Sequence, residues 1–260
     1  MTSSRPHTAA YPFVHLIAGP TGSGKSAAAT ELARVTGAPI VVADRLQCFT
    51  DLTTTSARAG AQAPGARRYW LDERTVPDGD LSADKAADAL IALVARLGAR
   101  HRFVIVEGGS ISLLRTLTSR VPKPSWHLSV RLLPLPSRVD YLAALTRRAH
   151  EMIAPPSPGR SLLEELATLW REPDLRLFTA SVNGFEAVLE CCAKYALDVE
   201  TIHEQPLSPP VVERMAALIA ERHAEHGFLQ YRVFAEMFKD HISGTGSGFD
   251  VDIDVLGDAA

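Results

Sequence analysis

The stretch Val14-His15-Leu16-Ile17-Ala18-Gly19-Pro20-Thr21-Gly22-Ser23-Gly24-Lys25-Ser26 is an apolar run that breaks into a glycine loop closed by a lysine and a serine. Residues 19–26 fit G-x-x-x-x-G-K-[ST], and an Ala-rich stretch from about Ala27 to Val35 follows with helical character. Strand, loop and helix in that order gather backbone N–H groups and a helix N-terminus around one point, which is how proteins hold phosphate. Gly19, Gly22, Ser23 and Gly24 are small enough for the backbone to curl around phosphate oxygens, and Lys25 adds a point charge. Ser26 supplies a hydroxyl for Mg2+, the expected cofactor.

Working outward, the apolar run Pro39 to Ala43 ends at Asp44, and Phe103-Val104-Ile105-Val106 ends at Glu107. Between them Ser82 caps a helix whose apolar residues Ala86, Leu90, Leu93, Val94 and Leu97 recur at helical spacing, with Gly98 as its stop. A further strand is predicted from His127 to Leu133, and residues 53–68 read as surface loop. This alternation predicts an α/β fold, a P-loop NTPase-like parallel sheet flanked by helices, over residues 12–135.

The remainder is predicted to be helical. Ser161 and Glu164 form a capping box that opens a helix from Leu162 to Trp170. Two more follow at about 184–196 and 210–226, the second closed by Gly227. Residues 136–240 are therefore expected to be a helical, substrate-covering portion packed on the core, with flexible ends at 1–11 and 243–260.

Bulk properties exclude several classes of function. Of the 260 residues, 27 are basic and 30 acidic, so there is no basic excess for gripping DNA. The apolar run at Val14 is too short to span a membrane, and nothing near it has a signal-peptide layout. Cys48, Cys191 and Cys192 make a poor disulfide framework and suit a reducing compartment, so a cytoplasmic location is expected.

In an open parallel sheet, ligands lie beyond the carboxyl ends of the strands, so Asp44 and Glu107 should both face the phosphate loop. Asp44 suits either chemistry or a turn cap. Glu107 suits direct chemistry or a place behind the metal.

Four segments in register carry a resemblance. They are Gly19 to Lys25, then Asp44-Arg45-x-Gln47-Cys48, then Glu107-Gly108-Gly109-Ser110-Ile111-Ser112-Leu113-Leu114, then Ser161-Leu162-Leu163-Glu164-Glu165-Leu166 running on to Trp170. Together they resemble the bacterial adenylate isopentenyltransferases (adenylate dimethylallyltransferases, or cytokinin synthases), relatives of the tRNA dimethylallyltransferases. The likeness covers about residues 13–235. It implies transfer of a dimethylallyl group, or its 4-hydroxylated form, from the diphosphate to N6 of AMP. Both substrates are small molecules.

The resemblance also implies roles. Asp44 would take the N6 proton, with Thr21 at the scissile oxygen and Lys25 on the diphosphate. Ser56 and Ser110, with Asp44, would contact the nucleotide. Asn183 and His226 would line the prenyl pocket, where some relatives carry an Asp and a His; Asn183 as a helix cap paired with Glu186, and His226 as a last-turn histidine, are the bland alternatives. Arg160 stands nearest the family's phosphate-contacting arginine. Two departures are visible. Relatives have Gly-Arg-Pro after the loop serine, where this chain has Ala57-Arg58-Ala59, and the stretch Pro155 to Arg160 lacks the acidic character found in relatives.

Two other enzymes share parts of this pattern. A tRNA dimethylallyltransferase would need a larger helical insertion and basic surface, which the length and mild acidity argue against. A small-molecule kinase would need lid arginines, for which Arg147, Arg148 and Arg160 are candidates, but it has no use for the Asp44 and Glu107 motifs. A nucleotide-binding module without catalysis is a third class, against which Lys25 and Asp44 both speak. Arg67 and Arg68, ahead of Tyr69 and Trp70, read either as a solvated pair leading into a strand or as help for the adenylate phosphate.

Overall fold

The computed structural model describes residues 11–58, 66–156 and 159–241. The expected flexible ends lie outside them, apart from the exposed Tyr11.

Five strands form one parallel sheet: β1 (Phe13–Ala18), β2 (Ile40–Val42), β3 (Arg68–Trp70), β4 (Phe103–Gly108) and β5 (His127–Leu132), in the order β3-β2-β4-β1-β5. Both faces of the central strands β1, β2 and β4 are covered, which is why these read as mostly apolar runs. On one face Leu16, Val41, Val104 and Val106 pack against α2 (Ala83–Gly98) and α3 (Ile111–Ser119). On the other, Ile17, Ile40 and Ile105 meet Ala29 and Ala33 of α1 (Lys25–Thr36).

The helical portion comprises α4 (Arg138–Ile153), α5 (Leu162–Trp170), α6 (Arg176–Ala180), α7 (Phe185–Tyr195) and α8 (Pro209–Met237). Its core gathers Leu162, Leu166, Phe185, Val188, Met215 and Ile219. The capping box at Ser161 and Glu164 forms, and α5 has the expected span.

The long helix α8 joins the two cores. It has 29 residues, about 43 Å at 1.5 Å each, and carries Met215 and Ile219 into the helical core and Phe234 into the sheet's core. The expected stop at Gly227 is therefore wrong. Gly227 sits mid-helix because a Cβ there would run into Tyr141 Oη of α4, so the residue is small for packing and not for termination. The expected stop at Gly98 holds, since it is the last residue of α2, where a Cβ would strike Pro12.

Residues 53–58 are also not the surface loop expected: Thr55, Ser56 and Arg58 are buried. A strand after Arg67 forms as β3, whereas helices α3, α4 and α6 were not foreseen. Among the described residues, no helix is long and apolar enough to cross a membrane.

Candidate active site

Strand register places the site. Ile17 and Ala18 of β1 pair with Glu107 and Gly108 of β4, and Val42 of β2 pairs with Glu107 from the other side. The loops after β1, β2 and β4 thus emerge together at the carboxyl edge, the expected place for a ligand. Gly108 permits this closeness, because a Cβ there would strike the Ala43 carbonyl. A cavity of about 1100 Å³ opens beyond these loops, between the sheet edge and helices α4 and α8.

The phosphate loop forms its side of the wall through Thr21, Gly22, Gly24, Lys25 and Ser26, while Gly19 and Ser23 build the loop from behind. Gly22 and Gly24 take φ of 74° and 86°, a region costly for residues with a Cβ. Lys25 Nζ donates to the carbonyls of Gly19 (3.0 Å) and Pro20 (2.6 Å). Burial lowers its pKa to about 8, Asp44 pulling it up and Arg148 pushing it further down.

Asp44 lines the cavity. Its Oδ1 accepts from the Leu46 amide at 2.9 Å, so the turn-cap role and a place in the site coexist. Oδ2 makes no protein hydrogen bond among the described residues. Arg45 fixes the loop after β2 by donating to the Leu81 carbonyl, Ser112 and Asp80.

Glu107 does not face the cavity, as direct chemistry would require. Its carboxylate is 4% exposed, forms an ion pair with Arg68 and is not part of the cavity wall. Arg68 in turn donates to the Ser26 carbonyl and Thr30 Oγ1, both at 2.8 Å, which fixes the first turn of α1. Neither role expected for Arg68 fits this burial; its neighbour Arg67 is exposed.

Ser56, Ser110, Asn183 and His226 all line the cavity. Ser56 sits in the folded turn 53–58, where Ala57 adopts φ 61°, a glycine-favouring conformation. Arg58, next along, donates to the Gln47 carbonyl and Glu73 and stacks over Trp70, closing the turn from behind. Asn183 is not the α7 cap: Gly184 holds that place and its amide donates to Glu186. His226 is not in a last turn, since α8 runs on to Met237. Burial lowers the His226 pKa, against the pull of Asp44.

Arg160 stands apart. Its guanidinium donates to the Glu164 carbonyl (3.1 Å) and Thr168 (2.5 Å) and does not line the cavity. A second desolvated cation on the wall is Arg148 of α4, its pKa lowered by burial. Sequence reading weighed Arg148 only as a lid arginine of the kinase alternative, because α4 was not foreseen. It also missed His223, 3% exposed with burial lowering its pKa to about 4, and Gln230. For these two, the signal is position: with His226 they lie three and four residues apart on one helix face.

No three His, Cys, Asp or Glu side chains among the described residues converge as a metal cage. Mg2+ ordinarily keeps waters and takes substrate phosphates with one or two protein oxygens. The Ser26 hydroxyl on the cavity wall fits that pattern.

A parallel sheet with a phosphate loop, two desolvated cations and a carboxylate on one cavity defines a P-loop protein built for a polyanionic ligand. The chain belongs to the isopentenyl transferase family, whose model matches residues 12–244. It is 41% identical over 228 residues to the adenylate dimethylallyltransferase of Rhodococcoides fascians, covering 87% of this chain and 89% of that one. The adenylate dimethylallyltransferase of Ralstonia nicotianae is 32% identical over 225 residues, with 85% and 93% covered. Among solved structures, the full-length tRNA isopentenylpyrophosphate transferase of Bacillus halodurans matches with a TM-score of 0.66 at 13% identity, over 94% of each chain. A eukaryotic dimethylallyltransferase acting on tRNA matches at 0.62 and 15% identity, over 89% of this chain and 73% of that one. These likenesses establish the fold.

Proposed function

We propose that the protein transfers a dimethylallyl group from its diphosphate to N6 of AMP, giving an N6-prenylated nucleotide of the cytokinin class and pyrophosphate. The observation that carries this reading is the pairing of two half-buried cations, Lys25 and Arg148, with the Asp44 carboxylate on one cavity. Adenylate dimethylallyltransferases that align along most of the chain support it.

The chemistry follows from these groups. The N6 lone pair forms a bond to C1 of the donor while the C1–O bond breaks, its electron pair leaving with pyrophosphate. Lys25, Arg148 and the loop amides offset the charge that gathers on the leaving group. Asp44 receives the proton that N6 loses as the C–N bond forms. Ser26 would hold Mg2+, which when bound neutralises phosphate charge. Ser56 and Ser110 face the nucleotide, and Asn183 and His226 the prenyl chain. Their polar atoms also suit a 4-hydroxylated donor.

The purified protein should be incubated with magnesium, AMP and dimethylallyl diphosphate and the products read by mass spectrometry. One dimethylallyl group on N6 with pyrophosphate released is the expected result. Reaction with unmodified tRNA and not with AMP would move the acceptor, and no prenyl transfer to either would overturn the reading.

A further inference from the structure

Gln230 of α8 is 3% exposed and touches both central loops of the sheet edge. Its Oε1 accepts from the Thr21 amide at 2.7 Å and from Thr21 Oγ1 at 3.2 Å, and its Nε2 donates to the Gly109 carbonyl at 2.6 Å. The orientation of the amide is forced. A flipped group would set its NH2 against the Thr21 N–H and its oxygen against the Gly109 carbonyl, losing the two strong bonds. On the other side of Thr21, Tyr141 Oη donates to the Thr21 carbonyl at 2.5 Å.

The two backbone groups of Thr21 are therefore committed, one to α8 and one to α4. Its hydroxyl is held by the longest of these bonds, and is the one group of Thr21 that can change partner without moving the loop. We infer that Gln230 is a positioning residue: it latches Thr21 so that the hydroxyl rests on Oε1 and turns from there to the bridging oxygen of the donor diphosphate. This rests on the proposed prenyl transfer. Glutamate could replace only the half of the latch that faces Thr21, because it has no donor for Gly109. Methionine would keep the length and lose every bond.

The test is a double-mutant cycle on Gln230→Met and Thr21→Val. Gln230→Met should lower kcat about tenfold or more, as small displacements of reacting groups do, with the donor KM changed less than about threefold. In the Thr21→Val background the same change should cost less than about twofold, because the hydroxyl it positions is gone. Gln230→Glu should keep more kcat than Gln230→Met. Equal losses in both backgrounds, or a kcat near that of the wild type, would overturn the inference. Amide hydrogen exchange at Thr21 reads the latch without any chemistry: it should quicken about tenfold or more in Gln230→Met, as loss of the 2.7 Å bond requires. An unaltered exchange rate overturns the latch whatever the protein catalyses. A wild-type protein that transfers no prenyl group instead overturns the proposed function.

Discussion

Glu165 Oε2 receives both the amide (2.9 Å) and the hydroxyl (2.6 Å) of Thr55, and its Oε1 receives Thr54 N (2.8 Å) and Thr53 Oγ1 (3.2 Å). The carboxylate is fully buried, and four donors from one short turn surround it. This explains the second glutamate of the Ser-Leu-Leu-Glu-Glu-Leu segment: it folds a threonine-rich stretch, with no periodicity of its own, into the wall that carries Ser56.

Glu165→Ala leaves those donors without an acceptor. Hydrogen bonds to a charged group contribute about 1.5–3 kcal/mol each, with losses that do not add, so we expect a fall of about 3–5 kcal/mol in unfolding free energy by urea titration. The milder Glu165→Gln should raise the KM for AMP several-fold while leaving the donor KM near the wild-type value. An equal rise for both substrates would remove the assignment of this turn to the nucleotide.

Burial penalises the charge of Lys25 and pushes its pKa down to about 8, well below an ordinary lysine. The protonated form is the one that attracts diphosphate. Hence kcat/KM for the donor, which reports the free enzyme, should fall as pH rises through about 8. In Lys25→Arg the falling limb should move beyond the measurable range, because a guanidinium stays charged. The stability sign is the reverse of that of a salt-bridged lysine. The unfolded chain protonates first as pH falls from 10.5 toward 8, so this group's contribution to stability declines across that window and is flat below it.

The Arg68–Glu107 pair is buried on both sides. Breaking one partner strands the other charge, and such losses run to about 3–5 kcal/mol. Arg68→Met should therefore destabilise the protein strongly. The double variant Arg68→Met, Glu107→Leu should recover part of that loss in the same urea titration, since no charge is left behind. The magnesium concentration giving half-maximal rate should be unchanged in Glu107→Gln. A large increase would return Glu107 to the role behind the metal.

The sheet was legible because both its faces are buried and each core strand is an apolar run ending in a turn or an acid, as at Ala43-Asp44 and Val106-Glu107. The phosphate loop was legible because its chemistry is local to eight residues, Gly19 to Ser26. What was hidden depends on distant partners. Arg68 reads as surface charge until β3 sets it beside Glu107. Arg148 is one of two adjacent arginines, and only the packing of α4 on α8 decides which enters the cavity. Gln230 is marked in the sequence only by its spacing from His226, since a lone glutamine on a helix is usually solvated.

Gly227 gives the sharpest separation of the local from the tertiary reading. A glycine that stops a helix can be replaced by alanine only at a cost in backbone strain, because such a stop usually requires positive φ. A glycine inside a helix should instead gain about 1 kcal/mol from alanine, if space allows. Here it does not, because the new Cβ would overlap Tyr141 Oη, which is tied to the Thr21 carbonyl. Overpacking of this kind costs about 1–3 kcal/mol, so Gly227→Ala should be net destabilising and should lower kcat by disturbing Thr21. Tyr141→Phe removes the colliding oxygen. In that background Gly227→Ala should cost much less stability, or add some, in thermal unfolding. A Gly227→Ala penalty that is the same in the Tyr141→Phe background as in the wild type would show that the hydroxyl is not what keeps this position free of a side chain.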